Sequence, residues 1–265
     1  MAIFLFLGIM SAAGLLYTAM TIKSEADDCG KPKYVLFMAA TGLLAILDIA
    51  FNLNNPANFI NILAKPTTGL SSAVISQIVI TAAGIIIYVK NTKHKASAVI
   101  SVVLFVYAVF CLNRLYMIST RHALNTYLLF FVFAGASALA AGTFLFSGSG
   151  DEAKHKKNSL SMLITSAVFT IFMAVFLVRL AVLNPPDRML TIDMLISGHL
   201  SAVFWAMIVT CVIIPLALSA IRYMKNVPLL SYVMKVSVVI GIFLICVLVN
   251  QLPTVVKAIQ GRMVF

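Results

Sequence analysis

Residues 43–80 read LLAILDIAFNLNNPANFINILAKPTTGLSSAVISQIVI. An apolar run carrying Asp48 and Asn52 stops at Asn54-Asn55-Pro56, and a second run opens after Thr67-Thr68-Gly69 with Gln77 inside it. Two membrane spans joined by an interfacial connection account for this pattern, because Asn-Pro ends one helix and a Thr/Ser cluster caps the next. An ionisable group within a span costs roughly 2.5 to 3.5 kcal/mol even on lenient insertion scales, so Asp48 marks a candidate site.

The rest of the chain is apolar to a similar degree. Of 265 residues 62% are hydrophobic and 10% charged, with a mean hydropathy of +1.06, a composition of integral membrane proteins and not of soluble domains. Apolar runs of about 20 residues, enough to cross roughly 30 Å of hydrocarbon, recur near 2–20, 34–53, 70–89, 97–118, 124–147, 160–183, 195–220 and 233–256. The expected fold is therefore all-α, with eight transmembrane helices in a single membrane domain spanning 1–265. A weak repeat, FNLNNP at the end of the second span against LAVLNPP at the end of the sixth, predicts two four-helix halves, 1–120 and 121–265.

The net charge of +11 reads as a topology signal and not as a nucleic-acid footprint. Twelve of the nineteen Lys and Arg residues fall in the connections after spans one, three, five and seven. By the positive-inside rule both termini face outward and the 54–69 connection is external, in a multi-pass protein of the cell membrane. The first span lacks a basic leader and stays apolar past Ser11-Ala12-Ala13, which predicts a retained helix. Cys29, Cys111, Cys211 and Cys246 show no ligand spacing, and His94, His122, His155 and His199 fall in connections or at span ends, so neither a metal site nor an axial haem ligand is expected.

The polar residues inside spans gather toward one side. Asp48 and Asn52 lie one turn apart near the outer end of the second span, Gln77 lies two turns into the third, and Asn113, Arg114 and Tyr116 occupy the outer third of the fourth. Arg179, His199, Asn250 and Gln251 fall at the same expected depth. Together they predict one polar pocket over an apolar floor, which disfavours a conducting channel because such a path needs polar groups at all depths. Plainer readings stand beside this: Asp48 as a packing acid, Gln77 as an interhelical bond, Arg114 as a snorkelling cation.

With these segments in place the chain resembles the membrane anchor subunit of the dimethyl sulfoxide reductase family of molybdenum oxidoreductases. The likeness covers nearly all eight spans and is strongest from FNLNNPANFINILAKPTTGLSSAVISQI through FCLNRLYMIS. In that family the end of the second span reads His-Leu-Gly-Ser-Pro, the third span carries Ser-Asn-Glu, and the fourth carries Arg-Val-Tyr. Here Asn52-Leu53-Asn54-Asn55-Pro56, Ser76-Gln77 and Arg114-Leu115-Tyr116 stand in those places.

The resemblance implies a haem-free subunit that binds and oxidises a quinol, of the menaquinone type, near the outer face. Its partners would be an iron–sulfur electron-transfer subunit and a molybdopterin catalytic subunit, which hold the iron–sulfur clusters and molybdopterin, with membrane lipid around it and no nucleic acid. Asn52, Gln77, Arg114, Tyr116 and His199 are the expected quinone-binding residues. Asn52 and Gln77 are amides where the family has a proton-accepting His and Glu, so proton removal falls to Asp48, with Arg114 tuning that acid. Two other readings stay open, an anchor without a working quinone site and a small-molecule transporter built from two repeats.

Overall fold

The computed structural model describes residues 1–23, 31–52, 57–90, 95–117, 124, 126–145, 152–182, 185–224 and 228–252. Among them every regular element is a helix: α1 (Ala2–Lys23), α2 (Lys31–Asn52), α3 (Ala57–Leu63), α4 (Gly69–Lys90), α5 (Lys95–Arg114), α6 (Leu128–Leu145), α7 (Glu152–Ala181), α8 (Pro185–Ile196), α9 (Ser201–Ile208), a π-helical turn (Val209–Ile213), α10 (Ile214–Met224) and α11 (Pro228–Gln251). The segments α9, π turn and α10 run on as one rod. Seven helices are long and apolar enough to span a bilayer, and α6 supplies a shorter apolar helix, Leu128–Phe144. The protein is thus an all-α, multi-pass membrane protein.

A hydropathy profile treats all these helices alike, but the packing does not. The α1 rod is the axis of the bundle, in contact with α2, α4, α5, α6 and α11, and 72% of its span is buried. Phe4, Leu5, Ile9, Ala12, Ala13 and Leu15 are fully enclosed. The small residues of α1 allow this close approach where lipid supplies no hydrophobic drive between helices. At Gly14 a methyl group would lie 2.6 Å from the Met38 Cβ, so α1 and α2 meet there at a distance only glycine permits. One apolar core runs from Phe4 to Leu252 through both halves of the chain.

Two connections expected as external loops, 54–69 and 184–194, contain helices, α3 and α8. For α8 the cause is local. The Pro185-Pro186 pair that stops the preceding helix also has the φ that opens the next one. The polarity also differs from the expectation that strongly polar span residues gather at one end. Expected to stop at 220, the seventh span continues to Met224, and the eighth, expected from 233, begins at Pro228. Arg222, Ser231 and Lys235 therefore lie inside helices at the far end, and Arg222 is buried there, donating to Ser231.

Candidate functional site

The carboxylate that singles out residues 43–80 lies on the last two turns of α2. One turn on, the Asn52 amide donates to the Asp48 side chain at Oδ1, 3.0 Å away, and to the Asp48 backbone carbonyl at 2.6 Å. Neighbouring Leu44, Leu47 and Phe51 are exposed, Phe51 at 84%, so this flank of α2 faces the bilayer. Asp48 Oδ2 is shielded and has no hydrogen-bond partner. The carboxyl thus has one oxygen held by Asn52 and the other enclosed without a partner, an acceptor whose hydrogen-bonding capacity is unused.

Gln77 lies elsewhere, at 0% exposure inside the crossing of α1, α4 and α5. Ser11 Oγ is 2.6 Å from Gln77 Oε1 and 2.9 Å from the Gly8 carbonyl. A serine hydroxyl has one hydrogen, so only one of these bonds forms at a time. Gln77 Nε2 is buried without a partner, and a methyl group added at Gly8 would lie 3.3 Å from it. Nearby on α5 the buried Asn113 donates to Met117 Sδ at 3.2 Å, and its Oδ1 is unpartnered.

Arg114 ends α5 with an exposed guanidinium, and its Nη2 donates to the Thr67 carbonyl at 2.9 Å, tying α5 to the turn before α4. It forms no ion pair with Asp48, so the structure gives no direct contact for the expected tuning of that acid. The Tyr116 hydroxyl, on a residue 3% exposed, is 3.2 Å from Asn250 Oδ1, and Asn250 Nδ2 donates to the Cys246 carbonyl at 2.8 Å. This pair links the ends of α5 and α11. His199 is exposed in the turn between α8 and α9.

Of the expected site residues, then, the structure brings together Asp48 and Asn52. It places Gln77 with Ser11, Arg114 with Thr67 and Tyr116 with Asn250. At this end of the bundle the cleft between α6, α7, α8, α9 and α11 is apolar, lined by residues such as Leu129, Met173, Phe176, Phe204, Met207 and Leu248. Among the described residues, the expected site side chains do not converge on a single polar pocket. Ser11 is the participant the sequence does not mark, since a serine among small residues reads as packing until the helix opposite it is known. A scan against models of known protein families finds no match to this chain, and a search of curated proteins finds none.

Proposed function

We infer that this chain is the membrane anchor subunit of a molybdenum and iron–sulfur oxidoreductase, oxidising quinol at Asp48 and passing the electrons to an iron–sulfur partner. The observation that carries the reading is the Asp48–Asn52 pair on the bilayer-facing flank of α2, with Asp48 Oδ2 left without a hydrogen-bond partner. A quinol is dissolved in the bilayer and reaches such a pair sideways, without an aqueous vestibule. Oxidation releases two protons and two electrons. Asp48 Oδ2 accepts a proton from one quinol hydroxyl while Asn52 fixes Oδ1, the proton of the second hydroxyl leaves to water at the membrane surface, and the two electrons leave to clusters held by the partner. The exposed Phe51 ring offers the head group a flat apolar face.

In this arrangement Gln77 and Tyr116 hold helix crossings, and Arg114 fixes the connection between α3 and α4. Partner docking falls to the same end, where α3 presents the exposed Ile60. The reading is tested by purifying the tagged full-length chain from its native membrane in mild detergent. Iron and molybdenum should co-purify with it, on separate polypeptides, with the paramagnetic signals of reduced clusters. A chain that emerges alone and metal-free overturns the anchor role.

A further inference from the structure

Between the π turn and the end of the bundle that holds Asp48, the second half of the chain opens a fork. Helix α7 packs along α10 and reaches the π turn, whereas α9 packs on α8 and α11. Between α7 and α9 lies a recess of about 380 Å³, its open mouth included, backed by α6 and α11. On α7 the lining runs from Met173 to Leu180, roughly 10 Å of helix. Every described side chain around the recess is apolar, with Met173 and Met207 as pliable walls and Phe176 and Phe204 as flat ones.

An empty recess forfeits the dispersion contacts of its lining, and one without polar groups gives water nothing to bind. Within membrane-spanning segments the material at hand is hydrocarbon. Two residues beside the recess specify the rest of the molecule. Trp205 follows the lining Phe204, with ring centroids 5.2 Å apart in an edge-on contact, and is 53% exposed, the placement of a tryptophan in the headgroup layer. Arg179 lies in the last turn of α7, between the lining residues Phe176 and Leu180. It is partly exposed and bonded to no described residue, Asp193 of α8 included. A guanidinium in that place is complementary to a phosphate.

We propose that this recess binds a single acyl chain of a membrane phospholipid, with the phosphate of its headgroup held by Arg179. The chain lies along α7 from Leu180 toward Met173, Trp205 flanks the headgroup, and the second acyl chain stays in the bilayer. The phosphate distinguishes this ligand from other hydrocarbon in the membrane. No residue of α2 lines the recess, so the site is independent of the quinol reading.

The test uses the full-length chain in detergent, with bound molecules counted by native mass spectrometry. It is given dioleoyl phosphatidylcholine, menaquinone, or dioleoylglycerol, which has the same chains and no phosphate. The wild type should retain one phosphatidylcholine per chain in preference to the other two. Val249→Phe, which fills the recess, should weaken that retention roughly tenfold. Val178→Phe, on the exposed side of α7, should leave it unchanged. Arg179→Gln should weaken retention of phosphatidylcholine roughly fivefold, the effect of one cation at the membrane surface, and leave that of dioleoylglycerol as it was. Arg179 is partly exposed, so its substitution keeps the test valid where Val249→Phe fails to fold. Equal retention of phosphatidylcholine and dioleoylglycerol, a preference for menaquinone, or retention that survives either Val249→Phe or Arg179→Gln would each overturn the proposal.

Discussion

The pairing of Ser11 with Gln77 separates what a polar residue does in a span from what its type suggests. Gln77 invites assignment as a ligand because it is an amide at a position where the resembled family has an acid. Its full burial against Ser11 instead makes it an interhelical bond, and such bonds contribute on average about 0.6 kcal/mol in membrane proteins. Gln77→Leu should therefore change the stability of the folded chain by less than about 1 kcal/mol, read from denaturant titrations in detergent followed by circular dichroism. A loss of several kcal/mol would show a larger role. Gly14→Ala should cost more, on the order of 1–3 kcal/mol, because the new methyl group lies 2.6 Å from the Met38 Cβ and forces α1 and α2 apart. That α1 needs small residues is legible in Gly8-Ile9-Met10-Ser11-Ala12-Ala13-Gly14. Which side chain each one meets is not, since apolar partners on five neighbouring helices look alike in sequence. At Asn52 an imidazole can make the same i, i+4 contact, so Asn52→His should retain quinol oxidation, measured as initial rate, and a tenfold loss would contradict Asn52's role in orienting Asp48.

Boundaries of the first four spans are legible to within a few residues, but α7 begins at Glu152 and not near 160, α9 begins at Ser201 and not near 195, and the internal irregularity of the seventh span is not legible at all. Its proline, Pro215, lacks an N–H, and the helix accommodates it through the π turn at Val209–Ile213. The Ile214 N–H bonds the Val209 carbonyl, five residues back, so in the same register Pro215 leaves the Thr210 carbonyl without a main-chain donor. Ser237 Oγ of α11 donates to that carbonyl at 2.7 Å. One turn further along α11, Gly241 fits against the turn: a methyl group there would lie 2.8 Å from the Cys211 Cβ and 3.0 Å from the Cys211 backbone nitrogen. The sequence shows Pro215 but not the helix that compensates for it, because the donor comes from a different span. Ser237→Ala should destabilise by roughly 1 kcal/mol, the cost of leaving a buried carbonyl unsatisfied. In a Pro215→Ala background, where an N–H is restored, the same substitution should cost little. Equal penalties in the two backgrounds, measured by thermal unfolding in detergent, would show that Ser237 does not complete the broken register.

Across the whole molecule, hydropathy identifies which segments enter the bilayer but not which of them face it, because lipid and protein interior are equally apolar. The α1 and α7 spans have mean hydropathies of 2.0 and 2.3, yet 72% of one and 28% of the other is buried. The axis of the bundle is thus α1, and the 43–80 stretch that dominates the sequence lies on its flank. The orientation proposed from the charge pattern, with α3 outside and the start of α7 inside, is open to a direct test. In a background with Cys29 replaced by serine, an impermeant thiol reagent should label Ile60→Cys in intact cells and Lys156→Cys only after permeabilisation. The opposite pattern would invert the orientation and move the Asp48 end to the inner face. The central claim is that Asp48 takes the quinol proton, and it is tested most directly by quinol-dependent reduction of the partner's iron–sulfur clusters in assembled complexes, with an artificial donor to verify the partner. Wild type should reduce the clusters, and Asp48→Asn, which keeps the shape and removes the proton site, should abolish reduction by quinol while leaving reduction by the artificial donor intact. Reduction by quinol at the wild-type rate in Asp48→Asn would contradict the account.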